Sequence, residues 1–330
     1  MLLTCHTHAA SCAPVQLGRF IGAFDVFGVS QLITGIKGIR IRRAVAVTAT
    51  AGAVFTTGAL TAAPAQAVAA PTIVAKGGYI MDNATGRTLF DKYANTTRAT
   101  GSTTKIMTAK VVLSQPNLDL DAKVTVQKAY SDYIVSKNAS SARLIVGDKV
   151  TVRQLLYGLM LPSGCDAAYA LADKFGTGSS RAARVKSFIG KMNSTARSLG
   201  MTKTKFDSFD GISNGSNYST PRDLTKLAGN AMKSATFRAL VKTKTTKQKV
   251  TTKSGGYRYY TWTNTNTLLS NYSGAIGVKT GSGSIAKYCL VFAATRNGKT
   301  VIGTVLTSTS AAQREADAKK LLSYGFARLG

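Results

Sequence analysis

The stretch YGLMLPSGCDAAYALADKFG, residues 157–176, reads as the end of one helix, a tight turn at Pro162-Ser163-Gly164-Cys165, and the start of a second helix. Apolar residues run on both sides of the turn, and between them a thiol sits beside a serine. Taken alone, Cys165 is a small core residue, since free cysteine is usually buried. What it does depends on the chain around it.

From about 118 to 210 the pattern is mostly helical. Thr151-Val-Arg-Gln154 is a capping box opening the helix that ends at Met160. Val185, Phe188, Ile189, Met192, Ala196 and Leu199 keep helical spacing up to Gly200. Before this block, 77–93 alternates about the turn Asp82–Gly86 and predicts a β-hairpin, and GSTTKIMTAKVVL predicts a helix. After it, Thr220-Pro221-Arg222-Asp223 starts a helix with proline in its first position. Residues 286–308 are two strands joined by Asn297-Gly298. Ser310-Ala-Ala-Gln313 caps a last amphipathic helix. The order predicts an α/β (α+β) protein: an antiparallel sheet flanked by helices, formed by 68–117 and 211–330, with an inserted all-helical domain, 118–210, and a site in the cleft between them.

The first 67 residues stand apart. A basic region at 37–43, an apolar run at 44–62 and small residues at Ala65 and Ala67 follow the order of a secretory signal peptide cut near Ala67. Five threonines and two glycines make that run a poor membrane span. Initiation near Val29 accounts for the residues upstream of the basic region. Residues 1–67 hold five basic residues, one acidic residue, both histidines and two of the four cysteines. Residues 68–330 carry a net charge of +25, no histidine, Cys165 and Cys289, and a single glutamate, Glu315. A Ser-His-Asp triad and a histidine-ligated metal are excluded. The positive charge first suggests nucleic acid, but no nucleic-acid-binding motif accompanies it. Anionic envelope polymers or lipid head groups suit an exported chain better, and a well-solvated surface is the plain alternative.

Without histidine, a serine nucleophile needs another base. A lysine serves if burial, a neighbouring cation or a helix N-terminus destabilises its ammonium. Ser102-Thr103-Thr104-Lys105 places both side chains on one face of a first helical turn, with the Ser102 amide at the positive end of the helix. Alone, Ser-x-x-Lys is a weak signal, and a capped surface helix explains it equally. It is joined by Ser163-Gly164-Cys165 on the helix-to-helix turn, and by Lys279-Thr280-Gly281 in AIGVKTGSGS, where a strand presents a cation and a hydroxyl to an acid group.

Three motifs in this order resemble the penicilloyl serine transferases, and most of all the low-molecular-mass D-alanyl-D-alanine carboxypeptidase and transpeptidase family. The resemblance spans nearly all of 72–328 and includes STTKIMTA, LLYGLMLPSGCDAAYALA, FDSFDGIS, YSTPRDL, TNTNTLL and GVKTGSG. The cysteine in the second motif is similar to that of secreted actinomycete D,D-transpeptidases. The resemblance implies a DD-peptidase/β-lactamase-like fold, no cofactor and no metal. It implies that Ser102 attacks the penultimate D-Ala carbonyl, Lys105 takes its proton, and Ser163 relays a proton to the leaving amine. Lys279 and Thr280, beside Gly281, would hold the terminal carboxylate, and the N–H groups of Ser102 and Ser282 the oxyanion. Cys165 stands where most of the family has asparagine, so one donor hydrogen bond is weakened.

The implied partners are peptidoglycan stem peptides ending in D-Ala-D-Ala, an amine acceptor, β-lactams and the anionic cell envelope, for a secreted monomer that binds no nucleic acid. Glu315 lies in the last helix, far in sequence from the three motifs, so a class A β-lactamase is disfavoured. A plain carboxypeptidase and a non-catalytic penicillin-sensing or wall-binding module remain the alternatives. Two free thiols are expected rather than a Cys165–Cys289 disulfide.

Overall fold

The computed structural model describes residues 68–212 and 215–330. The presequence and signal peptide expected over 1–67 lie outside the described residues.

The hairpin forms as β1 (Gly77–Asp82) and β2 (Thr88–Lys92). Its turn is held by the Asp82 carboxylate, which accepts from Ala84 N–H and the Thr85 hydroxyl. After β3 (Arg98–Ala99), Gly101–Thr104 makes one 3-10 turn that runs into α1 (Lys105–Leu113). Then come β4 (Lys123–Thr125), α2 (Lys128–Lys137), β5 (Lys149–Thr151), α3 (Val152–Met160), α4 (Cys165–Phe175) and α5 (Arg181–Ser198). The rest is β6 (Tyr218–Ser219), α6 (Pro221–Ala231), α7 (Ala235–Lys242), β7 (Thr245–Thr251), β8 (Tyr257–Thr263), α8 (Leu268–Asn271), β9 (Ala275–Gly283), β10 (Lys287–Arg296), β11 (Lys299–Ser308) and α9 (Ala311–Leu329).

Helix starts fall where the sequence puts them. Thr151 and Gln154 form the reciprocal capping box, and Thr220 and Ser310 each accept an N–H from three residues on. Each such cap contributes about 1 kcal/mol. Asn297 and Gly298 both have positive φ, +48° and +73°, as the tight turn between β10 and β11 requires.

The main sheet is antiparallel in the order β2-β1-β11-β10-β9. It is buried on both faces, which is why β10 reads as the unbroken apolar run CLVFAA. Leu290, Phe292 and Ala294 pack with Leu321 and Leu322 of α9, whereas Cys289, Val291 and Ala293 belong to the larger core shared with the helices.

The segment 118–210 is not all-helical, contrary to expectation. It contains β4 and β5, each Lys-Val-Thr, which join β7 and β8 in a second antiparallel sheet ordered β4-β5-β7-β8. Three residues with one buried valine give too short an alternation to signal a strand, and β5 joins β7 only across about 100 residues.

Candidate active site

The edge strand β9 lies against the 3-10 turn that carries Ser102. The approach is close because glycine occupies both sides. A Cβ on Gly281 would lie 2.8 Å from Thr100 O and 3.0 Å from Thr103 N, and one on Gly101 would lie 2.9 Å from Ser282 O. Gly281 thus brings two backbones together. A third segment joins them: Gly211, at φ +95°, passes so near that its Cβ would lie 1.9 Å from Gly101 O.

Lys105, the first residue of α1, is fully buried. Its Nζ lies 2.9 Å from Ser102 Oγ, 3.3 Å from Cys165 Sγ and 3.0 Å from Asp210 O. The three-residue spacing in Ser-x-x-Lys therefore gives the expected contact. Asp210 is itself held by the Tyr133 hydroxyl and by Ile212 N–H. Behind the turn, the Asn217 side-chain amide donates to the hydroxyls of Thr100 and Thr104, and Thr103 donates back to Thr100 O.

The turn 162–164 delivers the other two expected side chains in different ways. Ser163 is 7% exposed and has φ +65°, a strained backbone for a residue with a Cβ. Its hydroxyl has no hydrogen-bond partner among the described residues. Cys165 opens α4, and its Sγ accepts from Lys105 and sits 3.5 Å from Ser140 Oγ. Burial pushes the Cys165 thiol above the usual range, and the Lys105 charge only partly offsets this. The thiol is thus held neutral against the lysine, which is poor preparation for a nucleophile. Cys165 and Cys289 are both free, as expected.

Ser140 is absent from the sequence-derived site. It donates to Ser163 O at 2.6 Å, and its own carbonyl accepts from Cys165 N–H. The loop that carries it is fixed by Asp166, buried in the first turn of α4, which accepts from Ser141 Oγ and from Ala142 and Leu144 N–H. No periodicity marks residues 138–144. An acidic residue just after Ser-Gly-Cys was the one available hint.

Lys279 is 1% exposed, and its Nζ donates to Thr280 O at 2.9 Å. Thr280 Oγ1 pairs with Thr265 Oγ1, and Thr265 N–H donates to Leu161 O, tying β9 to the 161–165 turn. Burial drives the Lys279 ammonium well below the ordinary lysine range, and the positive charges of Lys105 and then Arg314 add to it. Arg314, on α9, reaches back to donate to Gly281 O. Sequence reading missed Arg314 because it lies outside all three motifs. Three cations converge here, an arrangement that favours an anionic group of a ligand.

This lowered ammonium has a measurable consequence. The folded chain binds fewer protons at Lys279 than the unfolded chain between the lowered value and the ordinary 10.5. Stability contributed by this group therefore rises with pH through that window. Lys279→Met is expected to melt higher than the parent at neutral pH, with the gain shrinking toward about pH 10. Thermal melts across that range test it. A gain independent of pH would mean that packing, not charge, is responsible.

Ser102, Ser140, Cys165, Asn217 and Ser282 line one cavity of about 700 Å³. The arrangement can present a serine hydroxyl to a carbonyl, take its proton on an adjacent amine, and hold an anion a short distance along β9. Among the described residues no cluster of histidine, cysteine, aspartate or glutamate could hold a metal ion.

Comparison with known proteins points the same way. The family described as D-alanyl-D-alanine carboxypeptidase matches residues 64–310. The chain is 69% identical over 290 residues to the D-alanyl-D-alanine carboxypeptidase of Streptomyces sp. (strain K15), covering 88% of this chain and 100% of that protein. It is 30% identical to D-alanyl-D-alanine carboxypeptidase DacF of Bacillus subtilis (strain 168), covering 77% of this chain and 62% of that longer protein. The crystal structure of the Streptomyces K15 DD-transpeptidase matches with a TM-score of 0.78 and 73% identity, over 79% of this chain and 100% of that one. The D-alanyl-D-alanine carboxypeptidase DacD from Francisella tularensis matches at 28% identity and a TM-score of 0.68, over 78% of this chain and 71% of that one.

Proposed function

This chain belongs to the D-alanyl-D-alanine carboxypeptidase family of serine peptidases, and from that premise we propose that Ser102 is its acylated nucleophile and that it passes the acyl group to an amine in preference to water. The enzyme is a serine-type D-alanyl-D-alanine carboxypeptidase/transpeptidase acting on peptidoglycan stem peptides, and we propose that penicillin acylates it at the same serine. The observation that carries the proposed site is the 2.9 Å contact between buried Lys105 Nζ and Ser102 Oγ, with no histidine among the described residues.

In the proposed reaction Lys105 Nζ takes the hydroxyl proton while Ser102 Oγ bonds to the carbonyl carbon of the penultimate D-Ala. The oxyanion is met by the N–H groups of Ser102 and Ser282. Lys279 and the Thr280 hydroxyl hold the terminal carboxylate, with Arg314 adding to the field. Collapse breaks the peptide bond, and the leaving amine receives its proton through the Ser163 hydroxyl, which no other group among the described residues engages. The acyl-serine ester is then attacked by an amine or by water. A β-lactam enters as an acyl donor whose leaving group stays attached.

Glu315 supports the preference for amines. Its carboxylate is engaged by Thr267, Asn271 and Lys319, none of which belongs to the site around Ser102. The same relay that protonates one amine can deprotonate another. With fixed acyl-D-Ala-D-Ala donor and rising amine, we expect transfer product to grow at the expense of free acid. Release of D-Ala that stays wholly hydrolytic at millimolar amine would leave a plain carboxypeptidase.

We further propose that the chain is exported and works at the wall, on the strength of the signal-peptide pattern at 37–67. Among the described residues no helix is long and apolar enough to cross a membrane.

A further inference from the structure

The second sheet has an outer face to which the peptidase reaction assigns no role. Alternation divides its strands cleanly. Val124, Val150, Val250, Tyr260 and Trp262 point into the core. Their neighbours point outward: Lys123 on β4, Lys149 on β5, Lys247 and Lys249 on β7, and Tyr257 and Tyr259 on β8, with threonines between them. The registers Lys123↔Thr151, Lys149↔Thr251 and Lys249↔Tyr259 put these residues on one continuous face.

The composition of this face is unusual. None of the four strands contains an aspartate or a glutamate. Tyr257 and Tyr259 are 63% and 50% exposed. Lys249 Nζ lies 4.1 Å from the centre of the Tyr257 ring and Lys247 Nζ 4.5 Å from that of Tyr259, so each ammonium is braced by an aromatic ring and no carboxylate on the face neutralises it. Lysines two residues apart on a strand stand roughly 6.8 Å apart, a regular row of charge.

We propose that this face docks a linear phosphodiester-linked polyol polymer of the cell wall. Charge complementarity selects a polyanion. The threonine and tyrosine hydroxyls suit the short hydroxylated linkers between phosphates. A bilayer surface is the poorer fit, because the four strands expose no aliphatic side chain to insert. Nucleic acid is also the poorer fit, because lysines cover the ring faces on which bases would stack. The proposal extends the reading of a wall enzyme to a second surface, and its test does not depend on export or on catalysis.

The test uses the purified chain and synthetic poly(glycerol phosphate) as the probe. Binding is expected to fall steeply with salt. Lys247→Gln with Lys249→Gln is expected to weaken it roughly 10-fold and to reduce the salt slope by about 2. Donor turnover and melting temperature report whether fold and active site survive the change. Lys186→Gln with Lys233→Gln removes the same charge outside this sheet and should leave binding nearly unchanged. Equal losses in the two double variants would overturn the proposal in favour of net charge alone. So would absence of binding, or tighter binding to phosphatidylglycerol vesicles or to single-stranded DNA than to the polymer.

Discussion

Lys105→Met is expected to slow acylation of Ser102 by about 10²–10⁴-fold, the usual contribution of a positioned general base. Methionine keeps most of the unbranched stem in a site with no solvent exposure, so the chain should still fold. Two of its neighbours are poorly placed to replace the amine. The carboxylate of Asp210 is bound to the Tyr133 hydroxyl and Ile212 N–H, and the Cys165 thiol is held neutral by burial. The rate of labelling by a fluorescent penicillin, measured beside a thermal melt, checks this. Labelling at the parental rate in a folded Lys105→Met protein would remove the lysine from the mechanism.

Gly211→Ala is expected to be nearly as damaging without touching a reacting group. Its Cβ would lie 1.9 Å from Gly101 O, 2.4 Å from Gly101 C and 3.1 Å from Ser102 N, so the turn holding the nucleophile must move. A displacement of about 1 Å at a catalytic group can cost 10²-fold in rate. Gly255→Ala is the control: its φ is also strongly positive, +90°, but its Cβ would meet nothing within 4 Å. It should cost only the strain of a left-handed residue, roughly 1–2 kcal/mol, with acylation intact. Equal acylation rates in the two variants would show that the contact of Gly211 with Gly101 does not position Ser102.

Much of this site is legible in the amino-acid sequence because its key spacing is local. Ser102 and Lys105 share one helical turn, and Asn297-Gly298, Thr220-Pro221 and the Thr151–Gln154 box each specify geometry within a few residues. The features that escaped are nonlocal or too short. β4 and β5 pair with each other across about 26 residues, and β5 meets β7 about 100 residues further on, so neither strand is visible in its own three residues. Ser140 and Arg314 reach the site from a loop and the last helix, and nothing in their own neighbourhood marks them, whereas Asp210 lies within FDSFDGIS but was given no role there. Cys165 was read by analogy as a weakened donor contact. Its position against Lys105 and Ser140 shows that its first contacts are with the site's own residues, before any substrate arrives.

The central claim is that the acyl group resides on Ser102. Quenching the enzyme during turnover of an acyl-D-Ala-D-Ala donor, then mapping the adduct by peptide mass spectrometry, tests it directly. The predicted result is one acyl group on the peptide containing Ser102, retained in Cys165→Ala and absent in Ser102→Ala. An adduct on Cys165, or an acyl group that persists in Ser102→Ala, would contradict it.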